Sequence, residues 1–445
     1  MDRRSIFTAR RIPIDYTEGQ LKALQKVDNF LKSPYHFFLL AGYSGCGKTT
    51  IAENIANYKN ATLLAPTNAA VNRLREKIDN PLLTFSTIHK LLFAPKDEKG
   101  QFRKEKSFKV NGVYIIDECS MIDKYILDVI IKDAVEKNCK VIFMGDSFQL
   151  EPVGTDPRLF AWENSYPEHF LPVNRYELTE VKRYDGTLLK IATEMRINKK
   201  PTFKQPDLSD LTTVAKFSKN LVHDINNKNS YVVLTSTNSR RILYNKKIRS
   251  YIFKDPNIEK YAQDGDLLVS VANSNIYSNG EIFELNRAVL IDQFILNLEI
   301  QSKRIDRDAK HVSYTALLYL HQKMYTLLIP ELEEPSLHGQ QILESIVSGA
   351  TIISKATRKI LVNLIKIKKG FSEYQMIDIF NKDINIATYG YAISCHKAQG
   401  QEWDNVYIDA YWLMPIWDPA KWFYTAITRA KSKVEVTTNK YLRIN

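Results

Sequence analysis

The sequence predicts an α/β protein with parallel, doubly wound sheets, and three observations lead there. Short, wholly apolar runs alternate with helix-periodic stretches through the first 150 residues. A glycine-rich turn separates one such run from the helix that follows it. The same alternation returns after residue 178, interrupted by a block of β-type alternation. Apolar runs without polar alternation are what strands buried on both faces require. Strand–helix alternation implies a parallel sheet whose ligands sit beyond the carboxyl ends of its strands.

Taken in order, residues 36–41 (HFFLLA) predict a buried strand, followed by the glycine turn and a helix from about Lys48. Residues 61–65 predict a second strand, and 68–78 a helix with one apolar and one basic face. Strands follow at 113–116 and 140–144, with a helix over 124–136 between them. Residues 91–110, with a DEKG turn between short mixed runs, predict a protruding hairpin. The second α/β block begins near Leu178, with a strand at 231–235 and a helix at 238–253. From 265 to about 323 the pattern is dense β alternation, and helical periodicity returns over 336–369, ending in Lys366, Lys368 and Lys369. A last α/β segment starts at Ile384, so the β-rich block reads as an insertion into the second α/β unit.

Composition narrows the class. Of 445 residues, 44% are hydrophobic and 25% charged, with 16 Gly and 16 Pro, which excludes collagen-like and largely disordered chains. The longest apolar runs, such as 37–41, fall far short of the ~18 residues that a membrane span needs, so no membrane partner is expected. A net charge of +12 favours a polyanionic partner. Cys46, Cys119, Cys139 and Cys395 form no CxxC pair, and no His cluster has metal spacing. That argues against a disulfide scaffold or zinc module and for a reducing, cytoplasmic compartment. The basic N-terminal arm lacks the apolar core of a secretory signal.

Residues 42–49 read GYSGCGKT, the GxxxxGK[ST] phosphate loop in the strand–loop–helix context that it needs. Gly42, Gly45 and Gly47 let backbone N–H groups curl around phosphates, with Ser44, Cys46 and Thr50 in the same cradle, at a helix N-terminus that favours anions. Lys48 would reach the β- and γ-phosphates and Thr49 would hold Mg²⁺. In VYIIDECS, Asp117 stands just past an apolar strand and would complete the Mg²⁺ shell, while Glu118 would orient and deprotonate the attacking water. The expected cofactors are ATP and Mg²⁺.

Further segments extend this pattern in a fixed order: TEGQ (17–20), APTNAA (65–70), STIHKLL (86–92), MGDSFQLEPV (144–153), LTEVKR (178–183), TSTN (235–238), SCHKAQGQEWDNV (394–406) and YTAITRAK (424–431). With them the chain resembles the superfamily 1 helicases of the 5′-to-3′ class, closest to the RecD-like and phage Dda-like branch, over essentially its whole length. The resemblance implies two RecA-like domains and assigns roles by position. Gln20 would read the adenine edge, Gln149 would couple the γ-phosphate to the strand, and Glu402 would approach the ribose. Arg183 and Arg429 would act as arginine fingers from the second domain. Pro66, Thr67, Thr87, His89, Thr237, Asn238, His396 and Lys397 match positions that contact single-stranded DNA, as short polar groups suited to sequence-independent phosphate contact. The hairpin at 91–110 takes the place of the family's strand-splitting wedge, with Phe102 as the aromatic that meets the junction and Phe93 second.

The expected organisation is a first RecA-like domain over 1–177, a second over 178–264 and 384–445, and an SH3-like β-barrel plus helical insertion over 265–383. The expected function is an ATP-dependent DNA helicase moving 5′ to 3′ on single-stranded DNA and unwinding duplex. The alternatives are an RNA-acting helicase and a nucleic-acid-dependent ATPase that displaces bound proteins. Expected partners are single strands and duplex junctions, with a single-strand binding protein or replication and recombination proteins, and the chain is expected to be monomeric. Independently of the resemblance, Cys46 inside the phosphate loop predicts that thiol alkylation inhibits the ATPase.

Overall fold

A computed structural model describes residues 15–78, 80–93, 106–150, 174–181, 186–199, 214–254, 262–270, 277, 280–287, 289–300, 310–321, 324–328, 384–410 and 418–437. Its first lobe opens with α1 (Glu18–Lys32), whose start is fixed by a capping box: the Gln20 N–H donates to Thr17 Oγ1 (3.2 Å), and the Thr17 N–H donates to Gln20 Oε1 (3.0 Å). There follow β1 (Phe37–Gly42), α2 (Lys48–Lys59), β2 (Thr62–Ala65), α3 (Asn68–Lys77), β3 (Phe85–Thr87), α4 (Ile88–Leu92), β4 (Val113–Ile116), α5 (Lys124–Glu136), β5 (Lys140–Gly145) and β6 (Arg175–Leu178). The six strands form one parallel sheet in the order β3-β2-β4-β5-β1-β6.

The apolar runs explain why this sheet sits in the middle. Along β1, Phe37, Leu39 and Ala41 enter one core with Phe143 and Ile116, while Phe38 and Leu40 enter the core on the opposite face with Ile51 and Ile142. Successive side chains point to opposite faces, so a strand covered on both sides must be apolar at every position. Full burial of each such side chain contributes about 1.5–3 kcal/mol.

The second lobe begins with α6 (Gly186–Asn198), α7 (Val214–Asn226), β7 (Tyr231–Thr235) and α8 (Asn238–Phe253). A mixed sheet then interrupts it, built from β8 (Asp266–Ser270), β9 (Ile282–Leu285), β10 (Val289–Ile300), β11 (Lys310–His321), β12 (Met324–Leu328) and β13 (Ile384–Tyr389). Its order is β10-β11-β12-β13-β8-β9, antiparallel except where β12 runs beside β13. The lobe closes with β14 (Ala392–Ser394), β15 (Trp403–Asp409), α9 (Pro419–Ile427) and β16 (Ala430–Thr437), and its parallel sheet runs β14-β7-β15-β16.

Two strands refine the expected limits. Leu178 ends β6 and so belongs to the first sheet, and Ile384 begins β13, which pairs within the mixed sheet. The second lobe's own sheet resumes after Gly390. There a Cβ would lie 2.9 Å from the Leu268 backbone, so the close crossing of chains admits only glycine. Residues 94–105 and 329–383, which hold most of the expected hairpin and the helical part of the insertion with its lysines, lie outside the described residues.

Candidate nucleotide site and strand-binding face

The loop between β1 and α2 is built for close packing. A Cβ at Gly42 would meet Cys46 Sγ at 2.7 Å, and Gly47, at φ +84°, would drive one into Gln20 Nε2 at 2.3 Å. Gly47 is also the N-cap of α2 and offers no side chain, whereas Thr67, Thr87 and Thr237 cap α3, α4 and α8 with their hydroxyls. The N-terminal amides of α2 therefore have no side-chain cap, the arrangement that suits an anion. Lys48 Nζ donates to the carbonyls of Gly42 (2.8 Å) and Tyr43 (3.0 Å), folded over the loop.

A cavity of about 400 Å³ opens above the loop. Ser44, Gly45, Gly47, Lys48, Thr49 and Thr50 line its floor, and Asp117, Glu118 and Gln149 line the wall at the ends of β4 and β5. From the second lobe comes Arg429, 1% exposed, whose guanidinium donates to Thr425 O (3.0 Å), Thr428 Oγ1 (3.2 Å) and Gln401 O (3.5 Å), all neutral acceptors. Gln149 Oε1 is a buried acceptor with no hydrogen-bond partner. A triphosphate fits these groups: it supplies the charge that Arg429 and Lys48 face, and its attacking water supplies a donor for Gln149. Burial and the neighbouring Glu118 raise the Asp117 carboxyl above the ordinary range, with Lys48 opposing. A divalent cation beside Thr49 and Asp117 would relieve that burden, so the donor set fits Mg²⁺.

Backbone strain marks Glu118. Asp117 is held on β2 by its N–H to Leu64 O (2.9 Å), and Glu118 then adopts φ +50°, ψ +39° as the chain enters the turn at Cys119–Met121. For a non-glycine residue that conformation costs on the order of 1–3 kcal/mol and clusters at functional sites.

Several residues that close the site escaped the sequence reading. Tyr424 Oη of α9 donates to Asp146 Oδ2 (2.7 Å) and accepts from the Ser44 N–H (3.1 Å). Arg196 of α6 pairs with Asp146 and with Glu177 Oε1 (2.6 Å), its guanidinium 4.2 Å from the Tyr43 ring. Leu150 ties the lobes through Thr425 Oγ1 (2.8 Å) and Gln399 Nε2 (2.7 Å). Arg73 and Lys77 of α3 line the cavity and reach Glu402 Oε1 at 2.5 and 3.3 Å. The spacing of APTNAAVNRLREK puts Arg73 and Lys77 one turn apart on a helix face, a signal that was legible but carried no chemistry until Glu402 came near.

The strand-binding candidates gather at strand ends. Thr67 and Thr237 follow β2 and β7 and Thr87 ends β3, and each accepts a hydrogen bond from the amide three residues on (3.2 Å for Thr67, 3.4 Å for Thr237 and 3.1 Å for Thr87). At Thr67 and Thr87 the oxygen caps the helix, which leaves the O–H proton for an external acceptor, while the Thr237 hydroxyl also meets Ser239 Oγ at 3.3 Å. Pro66 precedes the first of these caps. The His89 ring lies 5.6 Å from that of Phe93. His396 and Lys397 follow β14, and burial lowers both: the imidazole to about 4, and the ammonium, which also faces Arg241, to about 7.

Some expected roles change. Phe93 is 3% exposed and packs in the first lobe's core beside Tyr125, so it cannot meet a duplex at the surface. Cys46 is 1% exposed and burial raises its thiol pKa, as it does at Cys119 and Cys395, so the phosphate loop carries no reactive thiolate. Gln20 spends its amide within the protein, donating from Nε2 to Cys46 O (3.1 Å), and Glu402 bridges the lobes. Arg183, Phe102 and the side chain of Asn238 lie outside the described residues.

Comparisons agree with this arrangement. A family described as an AAA domain matches residues 15–206, and one described as a UvrD-like helicase C-terminal domain matches residues 389–437. The ATP-dependent DNA helicase dda of Enterobacteria phage T4 is 29% identical over 193 residues, 42% of this chain and 43% of that protein. The RecBCD enzyme subunit RecD of Buchnera aphidicola subsp. Schizaphis graminum is 26% identical over 473 residues, 95% of this chain and 73% of RecD. The crystal structure of the Pif1 helicase from Candida albicans superposes with a TM-score of 0.50 at 14% identity, covering 96% of this chain and 95% of that one, a likeness of fold.

Proposed function

We propose that this chain is a superfamily 1 helicase of the RecD and Dda type, an ATP-dependent DNA helicase that moves 5′ to 3′ on single-stranded DNA and unwinds duplex. One observation carries the reading furthest: Arg429, from the second lobe, lines the same cavity as Lys48, Asp117 and Glu118 of the first. A ligand bridging the two has contacts in the closed cleft that it lacks in the open one, and differential contact is what lets a ligand drive closure.

In this reading the amides of residues 44–48 and Lys48 hold the phosphates, and Thr49 and Asp117 hold Mg²⁺. The bound metal neutralises phosphate charge. Glu118 orients the attacking water and takes its proton, with Gln149 accepting from the same water. Arg429, joined by Arg183, stabilises charge on the transferring phosphoryl. Gln20, released from Cys46 O, reads the adenine edge, and Glu402 approaches the ribose.

The strand crosses the caps at Thr67, Thr87 and Thr237 together with Pro66, His89, Asn238, His396 and Lys397. Alternate gripping by the two lobes then moves it, and opening each base pair costs roughly 1.4 kcal/mol. The 91–110 hairpin acts as the wedge with Phe102 at the junction, and the mixed sheet as the SH3-like part of the insertion. The domains follow the lobes, 1–177 and 178–264 with 384–445, around the insertion 265–383. The chain acts as a monomer, with single-strand binding, replication or recombination proteins as partners. Among the described residues no helix is long and apolar enough to cross a membrane.

Strand displacement with ATP and Mg²⁺ on matched duplexes, one with a 5′ tail and one with a 3′ tail, tests the proposal. Unwinding from the 5′ tail alone supports it, and unwinding from the 3′ tail alone overturns the polarity. DNA-stimulated ATPase without unwinding favours a translocase that displaces proteins. Stimulation by RNA over DNA favours the RNA reading. Phe102→Ala should impair unwinding and spare translocation.

A further inference from the structure

Arg73 occupies an unusual position among the cavity's charges. Its Nη1 donates to Gly400 O at 2.5 Å and lies 3.7 Å from Glu118 Oε1, while its Nη2 pairs with Glu402 Oε1 at 2.5 Å. One guanidinium thus faces the catalytic carboxylate of its own lobe and a carbonyl and carboxylate of the other. All three side chains are largely covered: 22% exposed for Arg73, 13% for Glu118 and 11% for Glu402.

The two sides are unequally served. The contacts to the second lobe are at full hydrogen-bond length, and the contact to Glu118 is too long to be one. The same Nη1 faces both Gly400 O and Glu118, so a shift of about 1 Å in the 400–402 loop is enough to move its bond from the carbonyl to the carboxylate. Because the guanidinium is a rigid planar fork, it transmits such a displacement rather than absorbing it. The 400–402 loop directly continues from His396 and Lys397, and Gly400 holds φ +79° there, so strand contact and Arg73 act on one short loop.

We propose that Arg73 is a positioning residue that couples strand occupancy of the second lobe to Glu118. Without a strand, Gly400 and Glu402 draw Arg73 away, and Glu118, in its left-handed conformation, keeps only the 3.7 Å contact with Arg73, too long for a hydrogen bond. Strand binding at His396 and Lys397 shifts the loop, releases Arg73 onto Glu118, and sets the carboxylate against the water. Lys77, 3.3 Å from Glu402 Oε1, keeps that carboxylate paired after Arg73 leaves. The proposal rests on the helicase reading above.

The experiment measures steady-state ATP hydrolysis with and without single-stranded oligonucleotide on the full chain and on Arg73→Gln and Glu402→Gln. In Arg73→Gln the ratio of stimulated to unstimulated kcat should fall about tenfold, the scale of a typical coupling between sites, while KM for ATP moves far less. Glu402→Gln, which releases Arg73 without a strand, should instead raise the unstimulated kcat and lower the ratio from the other side. A stimulated rate that falls in one variant, beside an unstimulated rate that rises in the other, is a signature that plain structural damage does not produce. A full stimulation ratio in Arg73→Gln, or equal losses of both rates in the two variants, overturns the coupling role. If the unsubstituted protein shows no stimulation by DNA, the helicase reading itself fails.

Discussion

The hydroxyl of Tyr424 holds an N–H of the phosphate loop: it accepts from Ser44 N at 3.1 Å across the cleft while donating to Asp146 at 2.7 Å. A phosphate seeking that N–H meets a protein group already in place. Tyr424→Phe removes the competitor and with it two buried hydrogen bonds, from Ser44 N–H and to Asp146. Folding stability should drop by about 1–3 kcal/mol, and ADP should bind several-fold more tightly, as read by denaturant titration and calorimetry. Unchanged ADP affinity would show that the hydroxyl does not compete.

Arg196 gives Asp146 its counter-charge. The carboxylate is fully buried, and the arginine carries a second bond to Glu177 at 2.6 Å. Removing one partner of a buried pair leaves an uncompensated charge and costs about 3–5 kcal/mol. Arg196→Ala should lose that much in a urea titration, well beyond the effect of an exposed pair such as Lys22–Glu18.

Lys397 sets a pH dependence. Burial and the adjacent Arg241 lower its ammonium to about 7, whereas a phosphate of the proposed strand path would favour the charged form. Binding DNA therefore takes up a proton, and affinity should fall as pH rises from 7 to 9 by up to tenfold per unit. Lys397→Met should flatten the profile. His396, already neutral above about 4, contributes nothing in that window. For folding the sign is opposite: the unfolded chain holds this proton up to its ordinary value of 10.5 and the folded one does not, so this group adds stability as pH rises from 7 toward 10.5.

Glu118→Gln keeps the shape of the site and removes the proposed base. The kcat for ATP hydrolysis should fall roughly 10²–10⁴-fold with nucleotide binding retained, measured by phosphate release beside equilibrium binding. A loss of under threefold would assign proton removal elsewhere.

The first lobe was legible because most of its strands carry their burial in the sequence: 37–42, 62–65, 113–116 and 140–145 are apolar runs, polar only at Thr62 and Lys140 where two of them begin, and each lies within about one residue of expectation. β6 was not, since RYEL buries Leu178 alone and has no periodic signature. The phosphate loop and Asp117–Glu118 are local motifs and read directly. Arg196, Tyr424 and Arg73 depend on partners 50, 278 and 327 residues away, and no local spacing announces such pairs. Phe93 shows the converse: its neighbourhood suggested a hairpin, but which way the ring faces is settled by packing against Tyr125.

The four cysteines, every one of them buried, make the folded chain a blank for labelling. Maleimide dyes should leave the native protein untouched, so single cysteines placed at Leu82 of the first lobe (84% exposed) and Ile197 of the second (67% exposed) would take a donor and an acceptor fluorophore with no background to remove. Energy transfer between them would then report cleft opening and closing in real time, one molecule at a time.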